Sequence, residues 1–134
     1  LSPKDVTAHH PKVARALAEE TGCSVLLKGM PSLVATPQGR LLVDTVGTSD
    51  LAAAGMGDVL SGVISAFLAQ GALPHEAAAL GLHTSGRAAT RTGLGVSLTP
   101  EDVVEAMPGA LQETGEGSSD LDLSFVLFDQ DPAR

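Results

Sequence analysis

Two glycines and a carboxylate in one short segment, Gly55-Met56-Gly57-Asp58, are the residues of this 134-residue chain best suited to chemistry. The glycines allow a tight backbone turn and close approach to a ligand. A helical apolar repeat follows directly, so the segment stands at a helix start, where free N–H groups favour an anion such as phosphate. There, Asp58 can act as a base toward a hydroxyl group bound beside the phosphate.

Two well-known phosphate motifs do not match this segment. The dinucleotide pattern G-x-G-x-x-G needs glycine where Leu60 stands, and no Lys-Ser/Thr pair follows as in a Walker loop. The spacing alone also fits a simple loop before a helix, in which Asp58 only complements the helix dipole. Lys28 adds a second candidate, because it ends a predicted buried strand, where open α/β sheets bind ligands. By itself, Lys28 also fits a side chain that extends into solvent.

Hydrophobic periodicity predicts an alternation of helices and short strands that positions these residues. Helices are predicted over 12–20, from Val59 to Gly71, over 75–91, and from Thr99 to about Met107–Pro108. Strands are predicted over 24–28, over 33–36 and 41–44 as a β-hairpin, and over 121–129.

Composition indicates one α/β domain with an acidic extension. Apolar residues make up 43% of the chain and aromatic residues only 2%, so Ala, Val, Leu and Ile must form the core, as in sheets covered by helices. A net charge of −8 argues against nucleic acid and anionic membranes as partners. Residues 113–134 hold six acidic and one basic residue. We therefore expect a domain over 1–112, followed by an acidic linker and an extra strand over 113–134.

Several other classes of site are disfavoured. A single cysteine, Cys23, permits no intrachain disulfide. No apolar run is long enough to span a membrane, and charged residues and histidines interrupt the first ten residues, so we expect a cytoplasmic protein without a leader. His75 and His83 lie eight residues apart, which is not the spacing of a helical metal pair, so we expect no protein-ligated metal.

Five segments occur in the order found in a known family: Leu26–Gly29, Pro37–Gly39, Ala52–Ile64, Leu68–Gly71 and Glu101–Pro108. Together they resemble the carboxy-terminal half of the ADP-dependent NAD(P)H-hydrate dehydratases of the ribokinase-like superfamily. The resemblance covers about residues 12–110. It implies a three-layer α/β fold with a mainly parallel central sheet.

The resemblance also implies an activity and a set of site residues. Such enzymes use ADP (ATP in eukaryotic relatives) with Mg²⁺ to dehydrate the S epimer of hydrated NADH or NADPH, giving NAD(P)H, AMP and phosphate. Asp58 would be the catalytic base and would contact the substrate. The residues implied to bind the nucleotide are Lys28, Gly29, Met30, Pro31, Ser32, Gly55, Met56 and Gly57.

The sequence also departs from the family pattern. Relatives are usually much longer, and the amino-terminal half that contributes sheet strands and part of the pocket is not in this sequence. Asp50 adds negative charge in the segment before the loop, and Ser85 stands where relatives often have His. Uncovered sheet edges and apolar surface lead us to expect self-association into homo-oligomers.

Two other functions remain open from the sequence. A ribokinase-like small-molecule kinase would use the same G-x-G-D loop but retain the phosphorylated product. A non-catalytic nucleotide-binding or assembly module would fit the shortened chain and the added charge of Asp50.

Overall fold

The computed structural model describes residues 10–115 and 125–128. Its helices are α1 (His10–Thr21), α2 (Met56–Ala69), α3 (Pro74–Thr92) and α4 (Pro100–Gly115). Its strands are β1 (Val25–Leu27), β2 (Leu33–Ala35), β3 (Leu41–Asp44) and β4 (Phe125–Phe128). Short 3₁₀ turns span Ser49–Ala52 and Gly95–Ser97. Each predicted helix and strand is therefore present.

The strands form a small antiparallel sheet in the order β1-β2-β3-β4. Leu33 pairs with Val43 across β2 and β3, which confirms the predicted hairpin. The turn between them is closed by the Thr36 N–H, which donates to the Arg40 carbonyl over 2.9 Å. β4, within the predicted strand over 121–129, pairs with β3.

The resemblance implied a mainly parallel sheet, but all pairings among the described strands are antiparallel. The lengths of the connections explain two of the three pairings. Only residues 28–32 connect β1 to β2, and only residues 36–40 connect β2 to β3. A parallel pair needs a crossover of about a dozen residues or more, so these short connections leave only the antiparallel arrangement.

Helices cover both faces of this sheet because successive side chains of a strand point to opposite sides. Leu33 and Ala35 of β2 pack with Ala14 and Ala18 of α1. The intervening Val34 is fully buried on the other face, in a cluster with residues of α2 and α3. The described part is thus a mixed α/β structure of four helices and a small sheet.

The fourth helix begins as predicted but ends later. Thr99 and Asp102 cap its start reciprocally: the Thr99 N–H donates to Asp102 Oδ2 over 2.9 Å, and the Asp102 N–H donates to Thr99 Oγ1 over 3.3 Å. These bonds to Thr99 lower the pKa of the Asp102 carboxyl. The predicted end near Pro108 is wrong, since the helix continues to Gly115.

The expected boundary at residue 112 stays a prediction. Residues 116–124 and 129–134 lie outside the described residues, as do residues 1–9 with His9. No helix within the described ranges is long and apolar enough to cross a membrane.

Close contact between α2 and α3 depends on a glycine. A β-carbon on Gly81 of α3 would lie 2.5 Å from Ile64 Cγ1 of α2, too close for any side chain. Gly62 of α2 is also inside a helix, but a β-carbon there would meet nothing within 4 Å. The two glycines therefore offer matched positions for measuring the tightness of this contact.

We expect Gly62→Ala to raise the free energy of unfolding by about 0.5–1 kcal/mol, because alanine restricts the unfolded chain and favours helix. Gly81→Ala should lower it by about 1–3 kcal/mol, because the added methyl group separates α2 from α3. Urea denaturation of both variants measures the difference. Equal stabilisation by the two substitutions would contradict this helix contact.

Candidate functional site

A cavity of about 470 Å³ opens where β1, β3, α2 and α3 meet. Its rim includes the whole loop between β1 and β2, residues 28–32. Met56 of α2 lines it as well. Two segments that sequence reasoning singled out separately therefore share one cavity.

The start of α2 is set by Gly55. Its backbone has φ 86°, in the left-handed region that favours glycine. A β-carbon there would also lie 3.0 Å from Pro100 Cγ, at the start of α4. The next residue, Met56, is buried in the core cluster that joins α2, α3 and α4. Glycine at 55 thus lets the chain turn into α2 while Met56 anchors the turn.

Lys28 lies beside the first turn of this helix. A β-carbon on Gly57 would lie 3.3 Å from Lys28 Nζ, so the ammonium group is next to the backbone there. Among the described residues, no carboxylate pairs with Lys28, and the Gly57 N–H donates to no carbonyl. A cation and a free N–H donor near a helix start form a favourable environment for a phosphate group.

The loop over 28–32 is held in place by Ser32. The Ser32 hydroxyl donates to the Gly29 carbonyl over 3.1 Å and accepts from the Gly29 N–H at 3.3 Å. The Ser32 carbonyl accepts from the Asp44 N–H at 2.9 Å, which ties the loop to the end of β3. The Ser32 hydroxyl thus shapes the loop itself, while Met30 remains largely exposed.

The proposed base, Asp58, is exposed on the first turn of α2 and does not line the cavity wall. Its N–H donates to the Gly55 carbonyl over 3.0 Å. Gly55 and Gly57 do not line the wall either, although Gly57 lies against Lys28. Asp50, expected to oppose an anion, is likewise absent from the lining.

Sequence reasoning did not single out Asp44 as a site residue, and it noted Ser85 only as a departure from the family pattern. Asp44 is 5% exposed, and its Oδ1 accepts from the Val46 N–H at 3.0 Å. Ser85 of α3 is also 5% exposed, and both residues line the cavity. The available signal was a carboxylate that ends an apolar strand, which is an unusual residue for a buried position.

The sequence profile of NAD(P)H-hydrate dehydratase matches residues 2–108. The chain belongs to the NAD(P)H-hydrate dehydratase family. This assignment confirms the family resemblance seen in the sequence.

Individual relatives agree with the profile. A bifunctional NAD(P)H-hydrate repair enzyme Nnr of Salinibacter ruber is 42% identical over 79% of this chain. An ADP-dependent (S)-NAD(P)H-hydrate dehydratase of Cenarchaeum symbiosum is 34% identical over 82% of it, and one of Neisseria meningitidis serogroup B is 42% identical over 63%. The matched regions cover only 20%, 38% and 28% of those three proteins, respectively.

His83 lies on α3 between the cavity-lining residues Leu82 and Ser85, but it does not line the cavity itself. It is 4% exposed, and burial is the main cause that lowers its pKa. The positive charge of Arg87 lowers the pKa further, while the Asp44 carboxylate opposes both effects. The folded protein therefore favours the neutral imidazole.

We expect acidification to destabilise the fold through His83. Its folded pKa lies below the unfolded value of about 6.5, so the unfolded chain binds more protons as the pH falls through that value. The stabilisation is present above pH 6.5 and is lost towards the lower folded pKa. Urea denaturation between pH 7.5 and 5.5 should show the loss, and His83→Gln should reduce the slope. An unchanged slope in His83→Gln would contradict this role.

Proposed function

We propose that this chain carries the phosphate-binding and base-bearing part of an ADP-dependent (S)-NAD(P)H-hydrate dehydratase. The observation that carries the proposal is the position of Lys28 Nζ against Gly57, one residue before Asp58. A phosphoryl group held there would lie beside the carboxylate that has to activate its acceptor. The names of the family relatives support the choice of reaction.

In this proposal, nucleotide phosphates bind between the loop over 28–32 and the start of α2. Lys28 supplies a positive charge, and the N–H groups of Gly55 and Gly57 supply donors that need no reorganisation during the reaction. Glycine at 57 keeps the approach to the Lys28 ammonium free of a side chain. The predicted nucleotide residues Met30 and Pro31 would contribute to the cavity rim.

Asp58 would act as the general base. Its exposure on the first turn of α2 keeps the carboxylate accessible to a bound substrate. It would accept the proton of the ring hydroxyl of the hydrate, whose oxygen then takes the terminal phosphoryl group of ADP and releases AMP. Departure of phosphate, with loss of a ring proton, would give NAD(P)H.

Mg²⁺ is expected to enter with the nucleotide. Residues 10–115 contain no group of three side chains suited to hold a metal ion. Phosphate oxygens and water would therefore bind the ion, and Asp58 is the carboxylate that α2 places near it. When bound, such an ion would neutralise phosphate charge.

We also propose how the rest of the fold is completed. The regions of the relatives beyond the matched segments would supply the parallel strands of a three-layer fold and the remaining pocket. The exposed Val96 and Leu73 suit contact with such a segment or with another copy, in line with the expected homo-oligomer. We propose a cytoplasmic location on the basis of the substrates alone.

The role of Lys28 predicts a selective loss of nucleotide affinity. Lys28→Met should weaken ADP binding about tenfold, because it removes a charge-assisted contact with phosphate. Lys12→Met, which removes an equal charge from exposed α1, is the matched control and should bind ADP as the unmodified chain does. Isothermal titration calorimetry measures both, and equal losses in the two variants would contradict a local phosphate site.

The role of Asp58 predicts a loss of rate without a loss of binding. Asp58→Asn should slow ADP-dependent dehydration of (S)-NADH hydrate about 100-fold or more, followed at the NADH absorbance band, while ADP affinity is kept. Asp50→Asn removes a nearby carboxylate that does not line the cavity and should keep the rate.

Two results would contradict the proposed function. One is unchanged ADP affinity in Lys28→Met, and the other is full activity of Asp58→Asn. Product analysis separates the kinase alternative, which would yield ADP from ATP together with a phosphorylated alcohol instead of AMP and phosphate.

A further inference from the structure

One buried hydroxyl in the cavity wall has no hydrogen-bond partner. Ser85 Oγ is fully enclosed, and among the described residues nothing donates to it or accepts from it. Several serine and threonine side chains in these helices donate to the carbonyl four residues earlier. Ser61 does so with Gly57 over 2.8 Å, and Thr90 does so with Gly86 over 2.9 Å. Ser85 forms no such bond, so its hydroxyl keeps its full capacity for a ligand.

The position of Ser85 relates this hydroxyl to the cavity. Ser85 and Leu82 lie three residues apart on one face of α3, and both line the cavity. Thr84, between them, is also buried and unpartnered within the described ranges, but it is not part of the lining. The described residues thus include two buried, unsatisfied hydroxyls, and only Ser85 of the two residues lines the cavity.

A buried carboxylate shares the same wall. Asp44 is 5% exposed and lines the cavity, and its segment is pressed against α3. A β-carbon on Gly86 would lie 2.9 Å from Val46 Cγ1, which shows how closely the two run. The charge of Asp44 is also felt at His83 of α3. We call Asp44, Leu82 and Ser85 the inner wall, in contrast to the exposed rim that carries Lys28.

We propose that the inner wall is a recognition subsite for an uncharged group that presents an N–H donor beside an acceptor. The Asp44 carboxylate accepts from the N–H, the Ser85 hydroxyl donates to the neighbouring acceptor, and Leu82 packs against the apolar remainder. A buried carboxylate disfavours a second negative charge there, so phosphate belongs to the rim near Lys28.

The inference rests on the proposed function, because that function supplies the two candidate ligands with such a group. The hydrated nicotinamide carries a primary carboxamide, and ADP carries the amino edge of adenine. Both present an N–H beside an acceptor. Ser85 is therefore a specificity-determining residue of the cavity wall, which the proposed base, Asp58, does not line.

Binding of the small fragments tests the subsite without catalysis. In amide NMR titrations of the full chain, nicotinamide or adenosine should shift the signals of residues 44, 82 and 85. Ser85→Ala should raise the dissociation constant of that fragment about fivefold. Thr84→Val removes a buried hydroxyl outside the cavity and should leave it unchanged. If nicotinamide alone shifts these signals, the inner wall binds the substrate ring. If adenosine alone shifts them, the inner wall binds the nucleotide base.

The charge of the fragment provides a second test of the subsite. Nicotinate, which has a carboxylate in place of the carboxamide, should not shift these signals. Asp44→Asn should reduce the difference in affinity between nicotinamide and nicotinate. Ser85→Ala should fold as stably as the unmodified chain, because it removes no hydrogen bond. The inference is overturned if neither fragment shifts residues 44, 82 and 85, or if Thr84→Val weakens binding as much as Ser85→Ala.

Failure of the proposed function would look different. A chain that binds one of these fragments at the inner wall but never dehydrates NADH hydrate would retain the subsite and lose the proposed reaction.

Discussion

The left-handed backbone at Gly55 is the constraint on which the site depends. With φ 86° and Pro100 at 3.0 Å from where a β-carbon would stand, no other residue fits without strain. The turn sends Met56 into the core shared by α2, α3 and α4, and the Gly57 N–H that follows donates to no carbonyl of the described residues. Gly57, the residue after the buried Met56, lies next to the Lys28 ammonium. The phosphate environment is thus a consequence of packing as much as of the loop sequence.

The antiparallel sheet positions the residues on the opposite side of the same site. The connection between β1 and β2 is too short for anything but a tight loop, and it carries Lys28 at its first position. Ser32 closes the loop internally and links it to Asp44 at the end of β3. The cavity therefore has a cationic, exposed rim and a buried wall that contains a carboxylate. That division of charge separates the expected place of phosphate from the expected place of a neutral group.

Local patterns predicted much of this arrangement, and the exceptions have physical causes. Helical periodicity and the Pro-Gln-Gly-Arg turn were sufficient for the helices and the hairpin. Pro108 was interpreted as a helix end, because proline inside a helix loses a hydrogen bond and clashes with the preceding turn. The burial of Ala110 in the core favours continuing α4 despite that cost. The sheet direction was taken from the family resemblance, not from loop length. Asp44 escaped notice as a site residue, and Ser85 appeared only as a departure from the family pattern, because burial and missing partners are properties of the fold.

We propose that Lys28 and the first turn of α2 form one phosphate site beside Asp58. A crystal structure of the chain with ADP would show whether they do. We expect the terminal phosphate within hydrogen-bonding distance of both Lys28 Nζ and the Gly57 N–H, with Asp58 next to it. A nucleotide bound elsewhere, or a phosphate that contacts neither group, would rule out this site.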